Sequence, residues 1–341
     1  MVGLREQGRV EGKEVIRDFH LHTLYSDGLY PPRKLLEEAS RQGVRELAIT
    51  DHNSIKGLAE GKEAADDLDI TMVSGVEVSA QYHTRDVHIL GYGFSLKDVE
   101  ASSFHQYLSR IRDANNLWVR RVAKFTQKDP LVVRLGGGER VVISIKVDEV
   151  ERFRQSTQNY FNFSILVKEK LDEVAPAFKT VPARHIFYFL FWRKELEYID
   201  RYEALFRKYG IENKKYWYVP RKKGLYSPVT KVSEMITEIK GVPVIAHPGE
   251  TRLLEEDVRE MVGMGVKGLE VYTPKHDEEQ IVYYGEVADR FGLFKISGTD
   301  FHDPFHRNKV AIGRNQRGRK LIRGVRVADL KRLARLTSYS N

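Results

Sequence analysis

No cysteine occurs among the 341 residues of the chain. Its absence excludes disulfide bonds, thiolate nucleophiles, iron–sulfur clusters and cysteine-rich structural zinc sites. Any metal ion would therefore have to be held by histidine and carboxylate side chains.

Long apolar runs are also lacking. The longest candidate, "HIFYFLFW" at 185–192, is flanked by arginines and falls short of the roughly 18 residues that a membrane span needs. The opening "MVGLREQGRVEG" has no apolar centre of the kind found in signal peptides. We therefore expect a cytoplasmic protein with no membrane attachment.

Acidic residues are fewer than basic ones, 48 against 56, and the formal net charge is +8. A modest basic excess favours anionic partners such as phosphate esters or nucleic acid, although proteins can be basic without binding either. No feature of the sequence indicates an obligate protein partner. With 41% hydrophobic residues, the chain can bury a sizeable core.

Strand-like and helix-like segments alternate in two blocks of the sequence. In the first block the strand "EVIRDFH" precedes the helix "PPRKLLEEASRQG", and "VPVIAH" and "GLEVYT" continue the rhythm in the second. Such alternation predicts an α/β fold with a parallel sheet built from βαβ units. We place the two parts of this scaffold at 14–98 and 225–320, with tails at 1–13 and 321–341.

The segment between the two blocks, 99–224, has a different character. It is rich in arginine, lysine and aromatic residues and mostly helical in pattern, with one hairpin-like piece, "LVVRLGGGERVVISI". We interpret it as an insertion domain that closes over a barrel-like scaffold as a lid or substrate domain.

Histidines and acids recur where the predicted strands end. His20 and His22 alternate at the end of the first strand, and Asp300 and His302 repeat this spacing at the last one. Residues i and i+2 of a strand point to the same face, so each pair aims two side chains at one place. The other strands supply Asp51, His52, Glu77, His88 and His247. Active sites of parallel (β/α) folds assemble at the carboxyl rim, so we predict a metal cluster there.

The number and chemistry of these side chains indicate what they bind. Imidazole and carboxylate without thiolate suit manganese, zinc or iron. The candidates exceed what one ion uses and suit two or three divalent ions, with a carboxylate such as Glu77 between them. Such clusters generate hydroxide at neutral pH and clamp the attacking and leaving oxygens of a phosphoryl group. A hydroxide held in this way is the expected attacker in a chain without cysteine.

With these motifs the chain resembles the PHP (polymerase and histidinol phosphatase) family. The motifs "HLHTLYSDG", "LAITDHN", "SGVEVS", "DVHILGY", "VIAHPG" and "SGTDFH" follow the family order. The resemblance implies a distorted (β/α)7 barrel with a mostly helical insertion domain. It also implies a trinuclear metal centre and the hydrolysis of phosphoric esters.

A set of metal ligands follows from the same resemblance. The first ion would be held by His20, His22, Glu77 and Asp300; Glu77 would bridge to a second ion bound by His88 and His247; and the third would be held by Asp27, His52 and His302. Glu77, Asp300 and His302 are expected to take part in catalysis. Asp27 stands where some family members have a histidine, and its alternative interpretation is a turn residue of "SDG". Asp51 is expected to support the metal shell without ligating.

The "SDG" element, the long insertion and "YVP" at 218–220 make the chain similar to one bacterial branch of the family. That branch contains nucleotide phosphatases and 5′-to-3′ exoribonucleases. The likeness implies a phosphorylated small molecule, such as a nucleoside 3′,5′-bisphosphate, or a short oligonucleotide as substrate.

Arginine side chains are candidates for binding the substrate phosphate, because guanidinium suits bidentate phosphate contacts. The candidates are Arg110, Arg112, Arg221 and Arg252; the alternative is that they are solvated surface charges. Glu250 follows "HPG" at a position where we expect an arginine from the resemblance. This difference bears on how the phosphate is recognised.

Three other functions stay open on the sequence. Histidinol-phosphate phosphatases share the ligand set. Amidohydrolases share the first HxH and a strand-end aspartate, but they usually use a bridging lysine, so Glu77 and His302 argue against them. Metal ions could also have a purely structural role, stabilising the fold of a nucleic-acid-binding or scaffolding protein. Structural zinc sites, however, are usually closed four-ligand shells. The remaining histidines with no strand-end partner are interpreted as structural: His83, His185, His276 and His306.

Overall fold

The computed structural model describes residues 9–10, 13–151, 160–191, 202, 204–212, 224–304, 311–315 and 317–330. The chain divides into two compact units. One is formed by Met1–Arg110 with Tyr226–Asn341, and the other by Ile111–Leu225. The predicted insertion at 99–224 overlaps the second unit, and its role as a lid stays a prediction.

The strands are β1 (Arg9–Val10), β2 (Lys13–Glu14), β3 (Ile16–Asp18), β4 (Val44–Ile49), β5 (Thr71–Tyr82), β6 (Arg85–Tyr92), β7 (Leu131–Arg134), β8 (Arg140–Ile143), β9 (Val242–Ile245), β10 (Gly268–Tyr272) and β11 (Phe294–Ser297). The α-helices are α1 (Pro32–Arg41), α2 (Leu58–Asp67), α3 (Leu96–Glu100), α4 (Ser103–Lys128), α5 (Val147–Glu151), α6 (Tyr160–Val174), α7 (Ala183–Phe191), α8 (Val229–Glu238), α9 (Glu255–Gly263) and α10 (Glu278–Arg290). Short 3-10 helices span Gly136–Gly138 and Pro176–Thr180.

The first unit is built on a seven-stranded sheet in the order β11-β10-β9-β6-β5-β4-β3. The predicted α/β class is confirmed. The carboxyl ends of its two edge strands also meet. The Phe19 N–H donates to the Ser297 carbonyl at 2.9 Å, and Leu21 forms a parallel bridge with Phe301. The first and last strands of the sheet are therefore joined at the end where the site lies.

The prediction of a parallel sheet built from βαβ units is wrong at one strand. β6 is antiparallel to both of its neighbours, β5 and β9. A tight hairpin at His83 joins β5 to β6, with Tyr82 paired to Arg85 and His83 at φ +52°. Hairpins of this length usually contain asparagine or glycine. Since "QYHTRD" contains neither, the reversal left no turn signal in the sequence.

A buried apolar cluster lies beneath the rim of this sheet. It includes Phe19, Ala48, Val73, Leu90, Tyr92, Val242, Val244, Ala246 and Ile296. Leu90 is two residues from His88 on β6, so both side chains point to the same face of the sheet. The apolar cluster therefore lies directly below the polar residues of the rim. This apolar floor keeps bulk water away from one side of the site.

The second unit has its own core. Side chains from α4, α6, α7 and the β7–β8 hairpin pack together there, among them Val122, Val133, Leu171 and Leu190. β7 and β8 pair antiparallel around Gly137, where φ is +75°, so the predicted hairpin is present. Among the described residues, no helix combines the length and apolar composition that crossing a bilayer requires.

Candidate metal centre

His20 and His22 of "HLH" follow shortly after β3, and both imidazoles are buried. Leu21 between them pairs with Phe301, which separates Asp300 from His302 in the same way. The alternation of side chains along these two paired segments turns His20, His22, Asp300 and His302 toward the same interior. The two predicted pairs therefore meet, although 278 positions separate His22 from Asp300.

Glu77 lies at the middle of the cluster, and its side chain is fully buried. Five imidazole nitrogens lie within 3.1 Å of its two carboxylate oxygens. Its Oε2 faces His20, His22 and His52, and its Oε1 faces His88 and His247. A carboxylate that faces two sets of imidazoles has the geometry of a shared ligand.

Four atoms form the most enclosed group. His20 Nε2 and His22 Nε2 each lie 3.1 Å from Glu77 Oε2, and they lie 3.1 and 3.0 Å from Asp300 Oδ1. For metal–ligand bonds of about 2.0–2.2 Å, neighbouring ligand atoms around one ion lie roughly 3 to 3.5 Å apart. The observed spacing suits one divalent ion held by these four residues.

A second group gathers Asp27, His52 and His302 together with His22, with ligand atoms within 4.8 Å of one another. His302 Nε2 lies 3.2 Å from Asp27 Oδ1, and His52 Nε2 lies 3.8 Å from the same oxygen. Asp27 thus faces into the cluster, which favours the ligand interpretation over that of a turn residue. Its ligation stays a prediction.

His88 and His247 complete the set on the other side of Glu77. His88 Nδ1 and His247 Nε2 lie 2.8 and 3.0 Å from Glu77 Oε1. The expectation that His88 lies near the carboxyl end of its strand is wrong. Because β6 is antiparallel to its neighbours, its amino-terminal half reaches the same rim.

Buried polar atoms provide a test of whether metal ions fit. Within the described part of the chain, His20 Nε2, Glu77 Oε2 and His88 Nδ1 are buried and make no hydrogen bond. Buried polar atoms are nearly always satisfied, so such a concentration calls for a ligand such as an ion. The donors are imidazole nitrogen and carboxylate oxygen, which manganese, zinc and iron accept. The residues therefore fit divalent metal ions.

The electrostatics of the cluster favour cations. Burial raises the pKa of Glu77, but surrounding imidazoles, led by His52 and His20, lower it more, to well below its ordinary value. Burial lowers the pKa of His22, but Asp300 and Glu77 raise it more, to about 9. The ionised carboxylates thus create a field that holds positive charge, and divalent ions would displace protons from the imidazoles on binding.

Glu270 supports two of these histidines and was not identified from the sequence. Its Oε1 lies 3.0 Å from His20 Nδ1, and its Oε2 accepts a hydrogen bond from the His247 N–H at 2.7 Å. A carboxylate behind a ligating histidine fixes the ring and its tautomer. The signal in the sequence was a single acid in the otherwise uncharged strand "GLEVY".

Asp51 holds the turn that carries Asp27. It accepts hydrogen bonds from the N–H and Oγ1 of Thr23 at 2.7 and 2.6 Å, and from Ser26 Oγ at 2.6 Å. This arrangement agrees with the expectation that Asp51 supports the site without ligating.

Lys275 is a second residue that was not identified from the sequence. It lies in the loop after β10, with its Nζ 2.6 Å from Asp300 Oδ2 and 2.5 Å from Glu250 Oε2. Glu250 Oε2 is also 3.2 Å from His247 Nδ1. A lysine placed shortly after a strand end was the only sequence signal, and lysines are common in such loops.

His276 joins the two loops that carry Lys275 and Glu250. Its Nδ1 donates to the Val271 carbonyl at 3.0 Å, and its Nε2 accepts from the Gly249 N–H at 3.0 Å. Burial lowers the pKa of His276, in keeping with a neutral ring that donates at one nitrogen and accepts at the other. The structural interpretation of His276 agrees with these contacts.

Three of the four predicted phosphate-binding arginines lie among the described residues. Arg110 donates to Ser227 Oγ at 3.1 Å, Arg112 contacts Asp113 at 3.4 Å, and Arg252 is exposed. Arg221, like the "YVP" segment and His306, lies outside the described residues. A role in phosphate binding stays a prediction for all four arginines.

Strained backbone also marks the site. Asp300 and His247 have φ values of +53° and +25°, in the left-handed region that non-glycine residues seldom adopt. Such strain persists only where surrounding contacts enforce it, and it concentrates at functional sites.

Comparison of the sequence with known proteins gives a match to a family. The profile of the PHP domain matches residues 18–214. The phosphoribosyl 1,2-cyclic phosphate 1,2-diphosphodiesterase of Eggerthella lenta is 27% identical over 86% of this chain and 96% of its own length. The 3′,5′-nucleoside bisphosphate phosphatase of Chromobacterium violaceum is 27% identical over 84% and 87%. The 5′-3′ exoribonuclease Rnm of Escherichia coli is 23% identical over 85% and 86%.

Solved structures share the fold. A Bifidobacterium adolescentis protein assigned to the metal-dependent phosphoesterases aligns with a TM-score of 0.64 at 22% identity, covering 92% of this chain and 98% of that one. A Chromobacterium violaceum protein described as an amidohydrolase aligns with a TM-score of 0.60 at 24% identity, covering 87% and 90%.

Proposed function

The chain belongs to the PHP domain family, and on this basis we propose that it is a metal-dependent phosphoesterase acting on nucleotides. Its substrate would be a nucleoside 3′,5′-bisphosphate, from which it removes one phosphate, or a short RNA, which it trims from the 5′ end. Relatives named for these two activities support the choice of substrate, at 27% and 23% identity.

The position of Glu77 carries the proposal. One carboxylate shared among five imidazoles suits a cluster of ions better than a single closed structural site. It also takes the shared position that amidohydrolases usually give to a lysine. Hydrolysis by the cluster is therefore favoured over a purely structural role.

Each group of residues would have its own part in the reaction. Glu77, Asp300 and His302 would hold the ions against the scissile phosphate, and Glu270 would keep His20 in orientation. When bound, divalent ions would lower the pKa of a water molecule for attack at phosphorus and stabilise charge on the phosphoryl oxygens. The apolar floor beneath the cluster would limit the access of bulk water.

A second substrate class has specific support. The Eggerthella lenta relative, named as a cyclic phosphate diphosphodiesterase, is as similar in identity as the bisphosphate phosphatase, 27% in both cases. We therefore keep a ribose 1,2-cyclic phosphate as the alternative substrate.

The test is hydrolysis of four substrates in parallel with manganese, followed as inorganic phosphate for the phosphomonoesters and as released nucleotide or ring-opened product for the RNA and the cyclic ester. These are a nucleoside 3′,5′-bisphosphate, phosphoribosyl 1,2-cyclic phosphate, a short 5′-phosphorylated RNA and histidinol phosphate. We expect turnover of the bisphosphate or the RNA, and its loss when a chelator strips the metal. Turnover of histidinol phosphate alone would contradict the nucleotide assignment, and no turnover of any ester would contradict the phosphoesterase itself.

A further inference from the structure

Lys275 places an ammonium group at the rim of the metal centre, between Asp300 and Glu250. We propose that Lys275 binds the phosphate group of the substrate and that Glu250 holds its ammonium in place until phosphate arrives. Phosphate then replaces the Glu250 carboxylate as the partner of the ammonium. This inference rests on the proposed phosphoesterase function and names a recognition residue of the same site.

The two oxygens of Asp300 connect the ammonium to the centre. Oδ1 faces His20 and His22 at 3.1 and 3.0 Å, whereas Oδ2 faces Lys275 at 2.6 Å. The ammonium is therefore separated from the metal-binding atoms by a single carboxylate group. A phosphate held by ions at this centre would come within reach of the lysine.

Exposure distinguishes the two carboxylates beside Lys275. The Asp300 side chain is 3% exposed and that of Lys275 is 13% exposed, whereas Glu250 is 53% exposed. A mostly buried ammonium needs a partner, because unpaired buried charge is costly. Asp300 is enclosed, but the Glu250 side chain can rotate into solvent at little cost. Another anion can then take its position beside the ammonium group.

The placement also brings a cation to the position where the resemblance predicts an arginine. Glu250 stands at that position, after "HPG", and Lys275 brings its charge to that carboxylate from the neighbouring loop. His276 ties the two loops together through the Gly249 N–H. A lysine acts as a compact charge on a flexible stem with three donors. Two of them meet Asp300 and Glu250, so exchange of Glu250 for phosphate needs only a local movement.

Two substitutions separate recognition from a merely structural ion pair. Lys275→Met removes the charge, and we expect the manganese-loaded protein to bind inorganic phosphate about ten- to a hundredfold more weakly, the effect of losing a charge-assisted hydrogen bond. Glu250→Gln removes the competing anion but keeps an oxygen that can accept from His247. We expect it to bind phosphate roughly fivefold more tightly. Titration calorimetry with inorganic phosphate measures both changes, and elemental analysis records the manganese content of each protein.

A matched pair on the surface serves as the control. Lys231 and Glu234 form an exposed lysine–glutamate pair at 3.1 Å on α8, outside the centre. Lys231→Met and Glu234→Gln should leave phosphate affinity unchanged. Opposite shifts at Lys275 and Glu250, with manganese content preserved, support the inference.

Three results would overturn it: shifts in the same direction, no shift, or a loss of phosphate binding that follows a loss of manganese. These outcomes are distinct from failure of the proposed function. If the wild type hydrolyses none of the four esters but the opposite shifts occur, the anion site stands and the phosphoesterase assignment fails. If the wild type is active and the shifts are absent, the phosphoesterase assignment stands and the anion site at Lys275 fails.

Discussion

His20 and Asp300 reach one centre from opposite ends of the chain: His20 Nε2 faces both Glu77 and Asp300, and Asp300 also faces His22. Replacing either with alanine should strip the most enclosed group of ligands. We expect His20→Ala and Asp300→Ala to lower turnover by roughly a thousandfold or more, since metal ions supply several kcal/mol of charge stabilisation. Phosphate release and elemental analysis of the purified variants measure the two losses together.

The structure changes the choice of control for these variants. The sequence interpretation of His276 as structural predicts that His276→Ala would do little. Its ring, however, is hydrogen-bonded to the Gly249 and Val271 backbone, so its loss would disturb the loop of His247. His83 is a better control, because its side chain is exposed and its contacts are with Glu260 and the Tyr82 ring, neither of which is a candidate ligand. Full activity in a metal-free Asp300→Ala protein would refute the ligand assignment.

Glu270 offers a test of support without ligation. Glu270→Gln keeps the size of the side chain but weakens its hold on the His20 ring, from which it is 3.0 Å. We expect metal affinity to fall about ten- to a hundredfold, with activity recovered at high manganese concentration. Competition with a metal-sensitive dye measures the affinity. Unchanged affinity would show that His20 is oriented without Glu270.

At the scale of elements, the loop after β11 lies unusually close to the segment that follows β3. A Cβ at Gly298 would be 2.3 Å from the His20 Cβ and 2.7 Å from Glu270 Oε1. Gly298→Ala should therefore displace His20 or its support and cost about 1–3 kcal/mol of unfolding free energy. Denaturant unfolding measures this cost, and the manganese affinity should fall in the same variant.

Gly263 provides the matched glycine. It ends α9, and a Cβ there would meet no atom within 4 Å. Gly263→Ala should be neutral or stabilising by up to about 1 kcal/mol, because alanine is the better helix former. Equal costs at the two glycines would contradict the close approach at Gly298.

Elements with a clear local pattern could be predicted from the sequence. Pro32 begins α1, and Gly43 follows its end with φ +83°. The β5–β6 hairpin could not be predicted, because its turn at His83 lacks the usual turn residues and long-range pairing with β9 completes the reversal. His88 was found all the same, because a histidine on a strand can reach the rim from either direction.

The ligand set could be predicted because spacing along a strand determines which way a side chain points. His20 with His22, and Asp300 with His302, needed only the two-residue period. No regular spacing in the sequence relates Lys275 to Glu250. They meet because a hydrogen bond to His276 holds their two loops together. Contacts between loops depend on the tertiary fold, so the cation beside the centre became visible only in the structure.

At the scale of the whole molecule, every candidate ligand belongs to one of the two compact units. The set runs from His20 to His302, but all of it falls within Met1–Arg110 and Tyr226–Asn341. An ion that binds only the folded form stabilises what it binds by mass action, by about 2.7 kcal/mol at a hundredfold excess over its dissociation constant. Manganese should therefore slow amide exchange in β4 and β5 but leave α6 of the second unit unchanged. Hydrogen–deuterium exchange with and without the metal tests this, and equal protection of α6 and β5 would show that the two units unfold as one.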